Sequence, residues 1–81
     1  MYYTYVLLSM RYNRIYIGIS DDPQRRLTEH NAGQTKSTKA FRPYQIILIE
    51  KYPNRILARE REKFLKSGCG REWIKLNYMG Q

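Results

Sequence analysis

The stretch Arg14-Ile15-Tyr16-Ile17-Gly18-Ile19-Ser20, RIYIGIS, decides the fold. Its isoleucines alternate with Tyr16, Gly18 and Ser20, and such alternation is typical of a β-strand with two different faces. Glycine weakens a strand interior because it brings no side chain and costs backbone entropy. Gly18 therefore raises the question of what else lies near this face of the strand.

Two further segments predict the rest of a sheet. Residues 2–9, YYTYVLLS, are rich in β-formers, and a short polar link joins them to residues 15–20 as an antiparallel hairpin. A third strand is predicted from Pro43-Tyr44 through residue 52. Its four consecutive aliphatic residues, 46–49, predict a buried position at the centre of the sheet.

The remaining segments carry helix signals. Ser20-Asp21-Asp22-Pro23 predicts a helix start, and Gly33 suits the cap at its end. Asn54 is a plausible N-cap for a second helix over residues 55–66. The predicted apolar stripe of this second helix is Ile56, Leu57, Phe64 and Leu65.

A break at residues 67–70 separates the second helix from a short third one. The third helix is predicted over residues 71–78, with Trp73, Ile74 and Leu76 packing inward. The order β-β-α-β-α-α predicts an α/β fold, a small sandwich of a three-stranded antiparallel sheet flanked by helices. We expect residues 1–81 to form a single domain.

The amino-acid composition limits the classes of function that the chain could have. The 15 Lys and Arg against 7 Asp and Glu leave a net charge of +8, which favours a polyanionic partner, with nucleic acid ahead of an acidic membrane. The alternative is simply a basic protein. Cys69 and His30 are too few for a zinc site. The N-terminus resembles no signal peptide, and no apolar run could span a membrane, so we expect a cytoplasmic protein.

Chemically capable side chains fall on a few predicted faces. The isoleucine face of the second strand is predicted to be core, and the Tyr16 face more polar and open. Hairpin pairing could bring Tyr5 near Tyr16, and Arg26 and His30 project from one side of the first helix. Each residue also has an ordinary structural explanation: half-buried tyrosines, a solvated arginine, a helix-end histidine. Glu62 lies in a row with Ala58 and Lys66, and it could simply pair with Lys66 or Arg59.

Taken together, these residues resemble the GIY-YIG nuclease family. The resemblance rests on Tyr5, on Tyr16-Ile17-Gly18, on Arg26 and His30, and on Glu62, in order over nearly the whole chain. The first motif reads Tyr3-Thr4-Tyr5, so its tyrosine is present and its glycine is not. The chain looks most like small single-domain members related to the N-terminal nuclease domain of bacterial excision-repair endonucleases.

The resemblance implies an enzyme that cleaves phosphodiester bonds with one divalent ion, Mg²⁺ or Mn²⁺. It implies that Glu62 binds the metal, that Arg26 contacts the scissile phosphate, and that Tyr5 or Tyr16 is the general base. His30 would orient a tyrosine or relay its proton. A tyrosine base needs a lowered pKa, which we expect from the cationic surroundings. Asn77 is a candidate for the asparagine that the family carries near the end of the domain.

Substrate contacts are expected from basic side chains of the loop after the first helix and of the second helix. The candidates for contacts with the DNA backbone are Lys36, Lys39, Arg42, Arg59 and Lys66. The leading function is a structure- or lesion-directed DNA endonuclease linked to repair. The alternatives are a non-catalytic nucleic-acid-binding module and an RNA-directed nuclease. A second copy or an accessory protein could supply specificity. The missing side chain of Gly18 would let a phosphate backbone or the neighbouring helix come close to the strand, so replacing Gly18 by valine is expected to spare the fold and block catalysis.

Overall fold

The computed structural model describes residues 1–79, which form three strands and three α-helices in the predicted order. The elements are β1 (Tyr2–Ser9), β2 (Ile15–Ser20), α1 (Pro23–Asn31), β3 (Tyr44–Tyr52), α2 (Arg55–Lys66) and α3 (Gly68–Tyr78). A short 3₁₀ turn (Lys39–Phe41) precedes β3. The predicted fold class, a three-stranded antiparallel sheet flanked by helices, is confirmed.

The sheet order is β2-β1-β3, so β1 lies at the centre and β3 at an edge. The prediction of a central third strand is therefore wrong. The register shifts within the aliphatic run: Val6 pairs with Leu48 but Leu7 pairs with Ile46, which leaves Ile47 as an extra residue. The run is aliphatic because both faces of this edge strand are packed: Ile47 and Leu48 contact one core and Ile46 the other, while Ile49 is 42% exposed.

Two apolar cores sandwich the sheet. On one face Val6 and Ile17 pack against Leu65 of α2 and Ile74 of α3, and we call this group the α2–α3 core. The other face carries the tyrosine core, which consists of Tyr5, Leu7 and Tyr44 with Tyr16, Leu27, Phe41 and Ile46 packed against it. The face that was expected to be open is thus closed, and Gly18 and Ser20 on it are buried.

Both ends of α1 follow their sequence signals. The Asp22 carboxylate accepts a hydrogen bond from the backbone N–H of Arg25 at 3.1 Å and caps the start. At the other end Gly33 has φ +80°, a left-handed conformation that favours glycine. The N–H of Gly33 donates to the His30 carbonyl and the N–H of Gln34 to the Glu29 carbonyl, which ends the helix immediately after its functional residues.

Helix α2 starts as predicted but buries a different face. Asn54 caps it by accepting from the N–H of Leu57 at 3.0 Å. The predicted stripe is wrong at three of its four positions, because Ile56, Leu57 and Phe64 are exposed. The buried residues are Ala58, Glu62 and Leu65, which share one side of the helix at spacings of four and three.

Helix α3 begins three residues earlier than predicted. Ser67 alone separates the two helices, because it ends α2 and its hydroxyl accepts from the N–H of Gly70 at 3.1 Å to start α3. Ile74 is buried as expected, whereas Leu76 is 64% exposed and does not pack inward. Among the helices described over residues 1–79, none combines the length and apolar character needed to cross a membrane.

Candidate active site

Tyr5 and Gly18 form a cross-strand pair at the centre of the candidate site. They are direct partners in the β1–β2 ladder, and the Tyr5 side chain is almost completely buried. A Cβ atom at position 18 would lie 2.7 Å from the Tyr5 Oη and 3.0 Å from Cε2 of Tyr16. The close approach to Gly18 is thus made by the Tyr5 phenol, and the glycine leaves the space in which that ring lies.

Tyr16 and His30 extend this cluster toward α1. The Tyr16 ring lies with its centroid 6.3 Å from that of Tyr5 and 4.6 Å from the His30 imidazole. His30 is completely buried, and its Nδ1 is 2.7 Å from the hydroxyl oxygen of Thr38. Its Nε2 is buried and has no hydrogen-bond partner within residues 1–79.

Arg26 supplies the positive charge of the cluster. A hydrogen bond to the Tyr5 phenol raises the pKa of the guanidinium, burial lowers it, and an interaction with Glu29 raises it further. The Arg26 Nη1 also donates to a Glu29 carboxylate oxygen, and about a third of the Arg26 side chain is exposed. Arg26 therefore joins a buried phenol to the surface, where a phosphate could reach it.

The ionisation of Tyr5 differs from the expectation for a tyrosine base. Burial raises the pKa of its phenol, and the hydrogen bond from Arg26, which lowers the pKa, does not compensate. The charges of Tyr16 and Glu62 raise it as well. Among the protein groups alone, desolvation of the phenolate thus outweighs the positive charge of Arg26, whereas the prediction of a lowered pKa also relied on a bound metal ion.

The His30 imidazole is shifted in the other direction. Burial lowers its pKa, the positive charge of Arg26 lowers it further, and Glu29 opposes them. His30 is therefore neutral at neutral pH, and a neutral imidazole carries one nitrogen that can accept a proton.

Glu62 lies on the buried side of α2. The side chain is only 7% exposed, one carboxylate oxygen pairs with Arg59 at 3.0 Å, and the other pairs with Lys66 at 3.1 Å. Its charge acts on the Tyr5 phenol, so the carboxylate belongs to the same electrostatic environment. Glu62 thus forms the ion pairs that the sequence allowed, and it forms them with Arg59 and Lys66 simultaneously.

A metal would have one carboxylate available. No three His, Cys, Asp or Glu side chains within residues 1–79 come together as a metal-binding group. Each oxygen of the Glu62 carboxylate has a second lone pair beyond its ion pair. Mg²⁺ is commonly held by one or two carboxylates together with waters and substrate phosphates, so Glu62 fits an ion that is anchored once by protein.

The basic candidates divide into two groups. Lys36, Lys39 and Arg42 line an open basin of about 480 Å³ together with Arg11 from the β1–β2 link. Arg59 and Lys66 instead pair with Glu62. Arg11 was missed, although the basic link Arg11–Arg14 could have indicated it.

Two other positions depart from the sequence reading. Asn77 is exposed on α3, and its amide donates to the Trp73 carbonyl of its own helix at 2.9 Å, outside the tyrosine cluster. Thr38 was missed as a partner of His30. No sequence signal could have found it, because the contact spans a turn of eight residues.

A comparison with known proteins shows the family to which this chain belongs. A profile of the GIY-YIG catalytic domain matches residues 1–75. The chain belongs to the GIY-YIG family, whose members are nucleases that act on nucleic acid, and the predicted resemblance is confirmed.

Similar curated proteins are small UPF0213 proteins. One from Natronomonas pharaonis is 33% identical over 82% of this chain and 78% of its own length. One from Listeria welshimeri is 38% identical over 76% of this chain and 70% of its own length. A third, from Haloquadratum walsbyi, is 39% identical over 65% of this chain, and the match spans only 61% of that relative.

Proposed function

We propose that this protein is a divalent-metal-dependent endonuclease that hydrolyses phosphodiester bonds in DNA, directed by the structure or damage of its substrate and linked to DNA repair or processing. The observation that carries the proposal is the cluster of buried Tyr5 and His30 with half-buried Tyr16 and Arg26, on which the charge of the buried Glu62 carboxylate also acts. A module that only binds nucleic acid needs exposed basic residues but neither a buried acid nor a buried neutral histidine.

Each residue has a role that suits its surroundings. Arg26 binds the scissile phosphate, because a guanidinium keeps its charge and offers several donors to oxygens whose negative charge grows. Glu62 holds the metal, which when bound would polarise a phosphoryl oxygen and favour the leaving alkoxide. Arg59 and Lys66, both exchangeable and about half exposed, can turn from Glu62 to neighbouring phosphates.

The route of the proton follows from the two pKa shifts. Tyr5 is protonated at neutral pH and can donate its hydrogen bond to a phosphate or to the attacking water. His30 is neutral and has an unpartnered Nε2, so it is the group that can finally accept a proton, and because Nε2 is buried the proton would come through the neighbouring Tyr16. Tyr16 remains the alternative as the direct base.

The test is a cleavage panel in the presence of Mg²⁺ or Mn²⁺. The substrates are duplex, nicked, branched and single-stranded DNA, with RNA of matched sequence. We expect cleavage of DNA by the wild type, and a loss of at least about a hundredfold in Glu62→Gln, as is usual when a charged catalytic group is removed. Binding measured with a chelator present should survive.

The matched control is Glu60→Gln, which removes the same charge from an exposed position on the same helix. It should leave cleavage unchanged, and melting curves should show that both variants are folded. Tight binding with no cleavage of any substrate by the wild type would favour the binding-module alternative. Preferential cleavage of RNA would favour the RNA-directed alternative.

A further inference from the structure

His30 and Thr38 form a buried polar pair that joins α1 to the loop before β3. Both side chains are buried, and the distance from His30 Nδ1 to Thr38 Oγ1 is 2.7 Å. The backbone also holds Thr38 in place, because its N–H donates to the Thr35 carbonyl and its own carbonyl accepts from the N–H of Phe41. The hydroxyl is thus presented to the imidazole from a fixed position.

The single proton of the Thr38 hydroxyl determines which nitrogen of the His30 imidazole carries a hydrogen. The Thr38 hydroxyl has one proton and two acceptors nearby, the Thr35 carbonyl at 3.3 Å and His30 Nδ1. The carbonyl can only accept, so both contacts are hydrogen bonds only when the hydroxyl donates to Thr35 and Nδ1–H donates to the hydroxyl. If the hydroxyl instead donates to Nδ1, it can no longer donate to the Thr35 carbonyl. The hydrogen then lies on Nε2, which is buried and has no acceptor within residues 1–79.

A buried donor without an acceptor is the rarer and more costly defect. We propose that Thr38 is a positioning residue that holds His30 in the Nδ1–H tautomer and so leaves the lone pair on Nε2, on the ring that packs against Tyr16. The effect of this tautomer on catalysis rests on the proposed nuclease function. The assignment of the tautomer does not depend on that function.

Several titratable groups surround this imidazole. Arg26 and Glu29 come from its own helix, Tyr16 from β2, and Tyr44 from β3 with its ring centroid 6.2 Å away. None of these side chains makes a hydrogen bond to either ring nitrogen within residues 1–79. Thr38 is therefore the contact through which the tautomer can be set.

The first experiment reads the tautomer directly. His30 is the only histidine of the chain, so long-range ¹⁵N–¹H correlation spectra of the labelled protein report on one imidazole. In the wild type we expect a protonated, pyrrole-type Nδ1 and an unprotonated, pyridine-type Nε2. Thr38→Ser keeps the hydroxyl and should keep this pattern, whereas Thr38→Val keeps the shape, removes the hydroxyl and should populate the Nε2–H form.

Two results would overturn the tautomer assignment. One is a protonated Nε2 in the wild type, a measurement that needs no variant to fold. The other is a Thr38→Val spectrum identical to that of the wild type. Thr28→Val is the matched control, because Thr28 is an exposed α1 residue whose hydroxyl donates to the Gln24 carbonyl, and it should leave the imidazole signals unchanged.

The second experiment measures cleavage over pH 5.5–8.5. Thr38→Val should lower kcat about tenfold or more, as is usual for partners that orient a catalytic histidine, with KM little changed and with rescue in Thr38→Ser. An unchanged kcat in a Thr38→Val protein whose tautomer has shifted would overturn the catalytic role. If the wild type cleaves nothing, the proposed function fails and the catalytic role with it, while the spectra still decide the tautomer.

Discussion

At the scale of single residues, the Tyr5 phenol occupies the space that a side chain at position 18 would fill. The ring lies close to Gly18, its centroid is 6.3 Å from that of Tyr16, and its hydroxyl interacts with Arg26. A glycine that looks unsuited to a strand therefore has a local reason. It lets an aromatic ring from the paired strand come close to the backbone at position 18, and such aromatic contacts are a known way to stabilise strand glycines.

Gly18→Ala should disturb stability and chemistry together. Its Cβ would lie 2.7 Å from Oη and 2.8 Å from Cζ of Tyr5, so the ring must shift, and with it the hydroxyl that interacts with Arg26. We expect the free energy of unfolding to fall by about 1–3 kcal/mol, as for other overpacked sites, and the cleavage rate to fall as well. Gly18→Val should do more harm to the fold than the sequence alone suggested. Denaturant unfolding and single-turnover cleavage measure the two effects.

Tyr5→Phe provides the control for this contact. It removes Oη, the nearest atom, and leaves Cζ in place. The cost of Gly18→Ala in unfolding free energy should therefore be smaller in the Tyr5→Phe background by at least about 0.5 kcal/mol, the size of coupling seen between touching residues. Strictly additive costs would show that the Tyr5 hydroxyl is not the atom that Gly18 accommodates.

At the scale of elements, the helix ends were predictable and the buried faces were less so. Caps are local, so Asp22, Gly33 and Asn54 could be identified from their neighbours in the chain. The buried face of α2 was not predictable from apolar residues, because it contains Glu62 at its centre and leaves apolar side chains exposed. The edge position of β3 was not predictable from its aliphatic run, because cores on both faces of the sheet make an edge strand as apolar as a central one.

The contact between α2 and α3 depends on Gly70, and a glycine pair tests it. A Cβ at position 70 would lie 2.0 Å from the Phe64 carbonyl oxygen and 2.5 Å from the Cα of Leu65, both rigid backbone atoms. Gly70→Ala should therefore lower the unfolding free energy by about 2 kcal/mol or more, although alanine is the better helix former by about 1 kcal/mol. Chemical denaturation measures the change.

Gly68 is the matched control, because it lies in the same helix and a Cβ there meets nothing within 4 Å. Gly68→Ala should leave stability unchanged or raise it by up to about 1 kcal/mol. Equal effects of the two substitutions would mean that helix propensity, and not the close approach of α2 and α3, determines the outcome.

At the scale of the whole molecule, the candidate site combines residues that the sequence could identify with contacts that it could not. The resemblance named Tyr5, Arg26 and Glu62, because their residue types and order carry the family pattern. That Tyr5 is buried beneath Arg26, and that this burial raises its pKa, depends on packing on both faces of the sheet. The pairing of Thr38 with His30 likewise depends on the path of a loop in three dimensions.

The charge is also distributed unevenly over the molecule. No Asp or Glu occurs in residues 1–20 or 30–49, and the four basic side chains of the basin come from these two segments. None of the four forms an ion pair within residues 1–79, whereas the pairs described there use basic residues of α1 and α2. The basin thus gathers four basic side chains without a carboxylate partner in the described part of the chain, and we expect it to hold the nucleic-acid backbone.

Salt dependence tests this expectation. Each phosphate contact contributes a slope of about −0.9 for duplex DNA, or about −0.7 for single strands, to the plot of log affinity against log salt. Replacing Lys36 and Lys39 by alanine should therefore make the slope shallower by between about one and two, with weaker binding of every sequence alike. The control removes the same charge from Lys51 and Lys75, which are exposed on β3 and α3 and lie outside the basin. Equal changes of slope in the two double variants would mean that the net charge of +8 attracts the nucleic acid without a preferred surface.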